Sequence, residues 1–215
     1  MADSSSRAGD RYTTPDILAY VNRVHAGHDA ALAQAFAVPD GIPAIQVGPS
    51  EGRLLGLLLR LAGARKVVEV GTLVGYSAIH LARALPADGH LWSSEFDPTH
   101  AKIARANLDR AGLSERVTVV VGAGGDMLPT LAAYGPFDAV FIDADKVGYA
   151  VYGQWALANL RRGGLVLGDN AYLFGELLED TDRGRAMRAF HEMVAAACES
   201  VCIPTPDGLV VGIKT

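Results

Sequence analysis

The chain has 215 residues, 50% of them hydrophobic, so it is long enough for one domain with a full core. Its formal net charge is -5 and no cluster of Lys and Arg occurs, which excludes a basic nucleic-acid-binding protein. The most apolar segment, residues 54–62, is broken by Arg60 and is too short to cross a bilayer, which excludes a membrane-spanning protein.

The first residues of the chain carry no targeting signal. Residues 1–12 are polar and lack the apolar core of a signal peptide, so we predict a flexible tail. Cys198 and Cys202 show neither a disulfide framework nor a zinc pattern, and reduced thiols fit a cytoplasmic protein. We predict a single domain over residues 13–215, with N-terminal helices in residues 14–62 and the core in residues 66–215.

The first predicted elements are two helices. Thr14 is a suitable cap and Pro15 a suitable first residue for a helix that runs to about Phe36. A linker rich in proline and glycine follows. Ser50 and Glu51 open the second helix, whose many leucines predict that it is mostly buried.

From Lys66 onward, short β-branched segments alternate with helical ones, a pattern typical of a parallel α/β sheet. The predicted strands are residues 66–70, 90–95, 117–121, 139–142 and 164–168. The predicted helices fall near residues 76–84, 98–111, 126–133, 147–160 and 183–197. Residues 200–203 and 209–213 are joined by a short loop, which indicates an antiparallel hairpin. The sequence predicts a mostly parallel seven-stranded α/β sheet that ends in this hairpin, with helices on both faces.

Acidic residues end four of the predicted strands. Glu69, Glu95 and Asp143 close the first, second and fourth strands, and the pair Asp169-Asn170 closes the fifth. The carboxyl ends of strands in an open α/β sheet form the crevice where ligands bind. A crevice with this much acid is unsuited to a phosphate, and it suits a ribose, a cationic cofactor and a hard metal ion.

A glycine loop follows the first predicted strand. Gly71 permits a tight turn and Gly75 permits close approach of the backbone, but Leu73 stands where the dinucleotide fingerprint requires glycine. Glu95 can accept the hydroxyls of a ribose, and Glu69, inside an apolar strand, needs a donor or a cation. S-adenosylmethionine has a ribose, a positive charge and no phosphate. A glycine turn in another kind of α/β protein stays open at this point.

Two strand ends supply candidate metal ligands. Asp143, Asp169 and the amide of Asn170 offer three oxygen ligands, which select Mg²⁺, Ca²⁺ or Mn²⁺. Neighbouring strands lie about 4.8 Å apart, so these groups can share one ion. Lys146 begins the next helix, and a lysine beside a divalent cation is favoured in its neutral form, which can act as a general base. Each motif alone is also common as a helix start or a turn.

Together these motifs resemble those of the cation-dependent O-methyltransferases of the caffeoyl-CoA and catechol type. The motifs are the segments 68–77, 141–146 and 168–170, and the resemblance runs from about Ile45 to Gly212. It implies a Rossmann-like class I methyltransferase fold, S-adenosylmethionine as the methyl donor, a divalent cation and a homodimer.

The resemblance also implies roles for individual residues. Asp143, Asp169 and Asn170 match the metal ligands, and Lys146, which acts as the base, is predicted to be catalytic together with Asp143. The implied cofactor-binding residues are Val47, Glu69, Gly71, Thr72, Gly75, Tyr76, Ser77, Glu95, Gly122, Ala123, Asp143 and Asp145. For the substrate, we predict contacts from Tyr172 and Phe174, because an apolar loop beside a metal makes a suitable wall for an aromatic ring, and from Tyr149 at the start of the next helix. Packing of the loop and of Tyr149 on the core of the protein stays open as the alternative.

The predicted reaction is cation-dependent methyl transfer from S-adenosylmethionine to a hydroxyl of a vicinal-dihydroxy aromatic substrate. The alternatives are an NAD-dependent oxidoreductase, a metal-independent methyltransferase and a binding module without activity on the same fold. The sequence leaves open whether the acceptor is a free catechol, a CoA thioester or a secondary-metabolite intermediate, and it leaves the regioselectivity and the physiological metal undecided.

Overall fold

The protein is described by a computed structural model for residues 13–215, and the predicted tail, residues 1–12, lies outside the described residues. One sheet organises this part of the chain. Its strands are β1 (Lys66–Val70), β2 (His90–Glu95), β3 (Val117–Val121), β4 (Phe137–Ile142), β5 (Leu160–Gly168), β6 (Cys198–Ile203) and β7 (Leu209–Lys214). All seven predicted strands are present.

The strand order in the sheet is β3-β2-β1-β4-β5-β7-β6. Strands β1 to β5 pair in parallel, whereas β7 is antiparallel to both β5 and β6. The predicted parallel sheet with an antiparallel hairpin is therefore confirmed. The strand order reverses between β1 and β4, because β2 and β3 lie on one side of β1 whereas β4 and β5 lie on the other. Open α/β sheets bind ligands at such a switch point.

Helices connect the strands and cover the sheet. They are α1 (Pro15–His25), α2 (Ala30–Phe36), α3 (Pro49–Leu61), α4 (Tyr76–Ala84), α5 (Pro98–Arg110), α6 (Gly124–Leu131), α7 (Tyr149–Asn159) and α8 (Asp182–Ala197). Short 3₁₀ segments occupy Ala132–Tyr134, Lys146–Gly148 and Leu173–Gly175. Among residues 13–215, no helix has the length and apolar character that a membrane crossing requires.

The prediction of one continuous helix from Thr14 to Phe36 is wrong. The Thr14 side chain caps α1 as expected, but α1 ends at His25 and α2 begins at Ala30. Gly27 lies in the break, where its backbone freedom disfavours a helix. Asp29 then starts α2 by accepting a hydrogen bond from the Leu32 amide at 3.0 Å.

Alternating residues of the strands form two buried clusters, one on each face of the sheet. On β1, Val67 packs in the cluster that contains Leu55 of α3 and Ile79 of α4. The next residue, Val68, packs in the cluster that contains Phe190 of α8. Burying a side chain of this kind contributes roughly 1.5–3 kcal/mol. Helices on both faces are confirmed, and they leave the carboxyl edge of the parallel strands available for a site.

Candidate active site

A cavity of about 800 Å³ opens at the carboxyl ends of the parallel strands. Most of the predicted cofactor-binding residues line it: Val47, Gly71, Thr72, Tyr76, Ser77, Glu95, Gly122, Ala123, Asp143 and Asp145. Lys146, Asn170 and Phe174 line the same cavity. Residues that the sequence assigned to donor, cation and acceptor thus share one space.

The sequence analysis missed several residues that line the cavity. Pro43, Ile45 and Gln46 come from the segment between α2 and α3, which the sequence indicated only as a linker. Phe96 and His100 follow the acid that ends β2. Phe96 directly follows Glu95, the carboxylate at the end of β2, and this position could have indicated from the sequence that Phe96 lies at the site.

The glycine loop after β1 has no room for side chains. Gly71 has a φ of 102°, and a Cβ placed on it would lie 2.1 Å from the carbonyl oxygen of Asp143. Gly75 has a φ of 84°, and a Cβ on it would lie 3.2 Å from the Cα of Ala104. The two glycines therefore allow the loop to pack against the turn after β4 and against α5. Gly75 does not line the cavity, so its contribution is to this packing.

Glu69 lies beneath the floor of the cavity and is completely buried. The sequence predicts that it binds the cofactor, but its carboxylate accepts hydrogen bonds from Ser77 Oγ at 2.6 Å and Ser93 Oγ at 2.5 Å. Burial raises the pKa of Glu69 to about 7, although both serine hydrogen bonds oppose this rise. The role that the structure supports for Glu69 is to orient Ser77, which lines the cavity.

Glu95 is held at the cavity wall by backbone donors. Its Oε2 accepts a hydrogen bond from the Leu73 amide at 2.7 Å, and its Oε1 accepts one from the Asp97 amide at 2.9 Å. His100 Nδ1 lies 3.5 Å from Oε1. A carboxylate with its orientation fixed in this way retains lone pairs for the hydroxyls of a ribose.

Acidic groups crowd the opposite end of the site. Asp143 and Asp169 follow β4 and β5, which are neighbours, and the Asp169 amide donates to the Ile142 carbonyl oxygen at 3.0 Å. The side chain of Glu51 from α3 lies beside that of Asp169. Burial, together with the charges of Asp143 and Glu51, raises the pKa of Asp169 to about 9. Sequence reasoning missed Glu51 because a separation of more than a hundred residues gives no sign of this contact.

The acidic end fits a divalent cation. Among residues 13–215, no group of three His, Cys, Asp or Glu side chains is arranged to hold a metal ion, so a site would depend on the Asn170 amide together with Asp143 and Asp169. The Oε1 atom of Glu51 is buried without a hydrogen-bond partner among the described residues. Crowded carboxylates of this kind are stabilised either by taking up a proton or by a nearby positive charge, and oxygen ligands of this kind suit hard ions.

Lys146 lies between the acidic end and the middle of the cavity. Its Nζ donates to Asp143 Oδ1 at 3.1 Å and to the Tyr149 hydroxyl at 3.2 Å. The same atom lies 4.9 Å from the centroid of the Tyr149 ring, which adds a cation–π contact. The side chain of Lys146 is only 12% exposed. The lysine is therefore held in one place with its amine next to the predicted cation ligands.

Two of the three predicted substrate contacts lie elsewhere. Tyr149 is completely buried, and its hydroxyl donates to the carbonyl oxygens of Ile142 at 3.0 Å and Asp169 at 2.7 Å. The ring of Tyr172 packs closely on the turn between β6 and β7. A Cβ atom placed on Gly208 of this turn would lie only 2.9 Å from the ring. Neither predicted ring lines the cavity, because α7 holds Tyr149 in the core and Tyr172 packs against the turn between β6 and β7. Phe174 lines the cavity as predicted and is 63% exposed.

Asp145 lines the cavity with its side chain held on both oxygens. Oδ1 accepts a hydrogen bond from the Tyr152 hydroxyl at 2.5 Å, and Oδ2 accepts one from the Gly148 amide at 2.9 Å. The prediction that Asp145 contacts the cofactor is compatible with this placement. Tyr152 is a positioning partner that the sequence did not indicate.

Comparison with known proteins gives a consistent match over most of the chain. A family model described as O-methyltransferase matches residues 30–215. A protein of Mycobacterium tuberculosis named catechol O-methyltransferase is 45% identical over 177 residues, which are 81% of this chain and 80% of that protein. A protein of Niastella koreensis with the same name is 42% identical over 207 residues, which are 95% of this chain and 91% of that protein.

Solved structures give the same result for the fold. The O-methyltransferase from Bacillus cereus, crystallised in complex with SAH, superimposes with a TM-score of 0.87 at 36% sequence identity. The superposition covers 92% of this chain and 96% of that structure. The likeness extends over the sheet and both helical layers.

Proposed function

The chain belongs to the O-methyltransferase family, and from this membership we propose that it transfers a methyl group from S-adenosylmethionine to one hydroxyl of a catechol-like aromatic compound. The observation that carries this proposal is that one cavity joins the ribose-type carboxylate Glu95 to the acidic end with Asp143, Asn170 and Lys146. Donor, acceptor and base can therefore meet in one space.

The donor end would be formed by the glycine loop, Ser77 and Glu95. These residues offer a close backbone approach, a hydroxyl and an oriented carboxylate. S-adenosylmethionine supplies a methyl group on a positively charged sulfur, and SAH is what remains after that group leaves. The Bacillus cereus relative was crystallised with SAH, which supports the same ligand at this end.

The cation end would be formed by Asp143, Asp169 and Asn170, with Glu51 beside them. A divalent cation bound there would lower the pKa of a hydroxyl group next to it. The buried carboxylate of Asp169, which lies beside the acidic side chains of Asp143 and Glu51, supports such an ion. Cation dependence is part of the proposal and is testable by chelation.

Lys146 would take the proton of the acceptor hydroxyl. Asp143 and Tyr149 hold its Nζ with two hydrogen bonds, so that the amine keeps one position relative to the cavity. The oxygen freed of its proton then forms a bond to the methyl carbon as the carbon–sulfur bond breaks, and the sulfur keeps the electron pair. Alignment of two bound reactants in this way can be worth roughly 7–11 kcal/mol.

The acceptor is proposed to be a small catechol. Ile45 and Phe174 line the cavity and are 70% and 63% exposed, so an aromatic ring could bury apolar surface against them. Lys146 is the only lysine or arginine among the described residues that line the cavity. The lining thus offers no further cation to the phosphates of a CoA thioester, and this favours a free catechol, which the names of the two relatives also support.

The alternative activities have less support. Membership of the family speaks against an NAD-dependent oxidoreductase, as does Leu73 in place of the middle glycine. A metal-independent methyltransferase would leave the acidic end without a chemical role. The predicted homodimer and cytoplasmic location stay predictions.

The deciding experiment is methyl transfer from S-adenosylmethionine to a panel of catechols, with Mg²⁺ and then with excess EDTA. We expect turnover with Mg²⁺ that is lost on chelation. Full turnover in EDTA would contradict the cation dependence but would leave the proposed methyl transfer in place. Protection against thermal unfolding by NAD(H) but not by S-adenosylmethionine would overturn it.

A further inference from the structure

The loop after β5, Asn170–Gly175, has a strained backbone. Asn170, Leu173 and Phe174 have φ values of 52°, 52° and 55°. These values lie in the left-handed region, which residues other than glycine seldom adopt. Each residue of this kind costs conformational energy, and it persists only where its surroundings enforce it. We refer to residues 170–175 as the strained loop.

The strained loop carries two residues of the cavity, one at each end. Asn170 begins it and Phe174 lies near its end, and both line the cavity. The side chain of Phe174 is 63% exposed, so packing of the ring does not fix this end of the loop. Leu173, the residue before Phe174, is completely buried in the core, so the support that the Phe174 ring does not provide has to come from contacts of the Phe174 backbone.

These contacts come from the turn between β6 and β7. The Ala171 amide donates to the Gly208 carbonyl oxygen at 2.9 Å, and the Tyr172 amide donates to the Asp207 carbonyl oxygen at 2.8 Å. The third contact is made by a side chain: the Phe174 amide donates to Asp207 Oδ1 at 2.9 Å. Of these three hydrogen bonds, only the last can be removed by a substitution that leaves the backbone unchanged.

Asp207 is held in a setting that is unfavourable for a carboxylate. Its Oδ2 atom is buried and has no hydrogen-bond partner among the described residues. A buried oxygen without a donor is destabilising. The contact of Oδ1 with the Phe174 amide is therefore the interaction in the structure that explains an acid at this position.

We propose that Asp207 is a positioning residue for the acceptor, because its carboxylate holds Phe174 and the strained loop at the wall of the cavity. This inference rests on the proposed methyl transfer to a catechol. Asp207 does not line the cavity and acts through Phe174. Loss of the hydrogen bond would let the loop leave the strained conformation, so the ring wall would be lost while the donor end, formed by the loop after β1, would be unchanged.

Two substitutions separate the hydrogen bond from the charge. Asp207→Ala removes both, whereas Asp207→Asn removes the charge and retains an oxygen acceptor for the Phe174 amide. We expect Asp207→Ala to raise the KM for catechol by about tenfold to a hundredfold, as loss of a hydrogen bond to a charged group predicts. We expect Asp207→Asn to stay within a fewfold of the unchanged protein, and the affinity for S-adenosylmethionine to be the same in all three proteins.

Asp29→Ala is the matched control. Asp29 also accepts a backbone hydrogen bond, from Leu32 at 3.0 Å, but it caps α2 and does not line the cavity. This variant measures the effect of losing a carboxylate cap on stability, and we expect its KM for catechol to be unchanged. A KM rise of the same size in the control would overturn a specific role for Asp207.

Hydrogen exchange at the Phe174 amide gives a readout that does not depend on activity. We expect faster exchange in Asp207→Ala than in Asp207→Asn or the unchanged protein. If the unchanged protein methylates no catechol, the proposed function fails, and the exchange measurement still decides whether Asp207 holds the loop. Slow exchange together with an unchanged KM in Asp207→Ala would overturn the proposal. A tenfold higher KM in Asp207→Asn would also overturn it. The asparagine variant therefore tests the proposal even if the alanine variant does not fold.

Discussion

The Tyr149 hydroxyl lies 3.2 Å from Lys146 Nζ and links the proposed base to the backbone of two neighbouring strand ends. The same hydroxyl donates to the carbonyl oxygens of Ile142 and Asp169. Burial raises the pKa of Tyr149 well above its usual value, and the surrounding carboxylates add to this effect. Tyr149 therefore stays protonated and fixes the lysine relative to the acidic end of the site.

We expect Tyr149→Phe to lower kcat by about tenfold, because Lys146 would lose one of the two hydrogen bonds that hold its Nζ in place. The two carbonyl oxygens would also lose their donor, which costs roughly 1–3 kcal/mol of folding free energy. Steady-state kinetics and urea unfolding measure the two effects. Tyr152→Phe is the matched comparison, since its hydroxyl donates to Asp145 and its loss should weaken donor binding instead. Equal kcat in Tyr149→Phe and the unchanged protein would contradict the assignment.

We expect Lys146→Ala to lower turnover by roughly 10²- to 10⁴-fold, the usual contribution of general base catalysis. Affinity for S-adenosylmethionine should be nearly unchanged, because the donor end lies at β1 and β2. Calorimetric titration with the donor, together with a methyl-transfer assay, gives both quantities. Lys102→Ala, at an exposed position on α5, is the control and should leave both unchanged. Full activity of Lys146→Ala would remove Lys146 as the base.

We expect Glu51→Gln to weaken binding of Mg²⁺ by roughly 10- to 100-fold, in line with the effect of groups that surround metal ligands. Without a divalent cation, the same substitution should raise Tm, because it removes one of the acidic groups that repel Asp169. Thermal unfolding in EDTA and with increasing Mg²⁺ tests both directions. Glu115→Gln, at an exposed position, should change neither value. Unchanged Mg²⁺ affinity in Glu51→Gln would exclude Glu51 from the cation end.

We expect the free energy of unfolding to depend on pH through Glu69. Its pKa in the folded protein is about 7, against an ordinary value of 4.5, so unfolding releases a proton between these values. The stability that protonated Glu69 contributes is complete below about pH 4.5 and is lost as pH rises through about 7. At ~1.4 kcal/mol per pKa unit, the loss is roughly 3 kcal/mol.

Urea unfolding at pH 5 and pH 8, in EDTA and without donor, measures this loss. The raised pKa of Asp169 adds a loss of the same sign, so Glu69→Gln should show a smaller loss than the unchanged protein and should gain stability relative to it as the pH rises. Glu115→Gln should keep the full loss. A pH dependence in Glu69→Gln equal to that of the unchanged protein would show that Glu69 does not carry the effect.

The sheet could be predicted from the sequence because its signals are local. Lys66–Val70, His90–Glu95 and Val117–Val121 begin and end where the sequence indicated, since glycines, acids and β-branched runs mark those boundaries. The predicted start of β5 at residue 164 was four residues late, because Gly163 and Gly164 concealed its continuation back to Leu160. The two glycines were interpreted as the start of the strand, whereas β5 continues through both of them.

The site could be predicted only where it follows strand ends. Asp143 and Asn170 reach the cavity because the parallel sheet places consecutive carboxyl ends together. Ile45 reaches the cavity, and Glu51 reaches Asp169, through the packing of α3 and the segment before it, which no periodicity encodes. Tyr149 was predicted to contact the substrate, whereas the direction of its ring depends on how α7 packs against Phe190.

The position of β7 between β5 and β6 has a consequence for biosynthesis. A nascent chain that has emerged through Gly168 already contains the glycine loop, Glu95 and β4, which together form the donor half of the cavity. The strained loop, by contrast, lacks its hydrogen bonds to the β6–β7 turn until that turn has also left the ribosome, and β5 keeps an unpaired edge until β7 inserts beside it. Because chains begin to fold during synthesis, we expect the two halves of the cavity to mature in sequence, the donor half first.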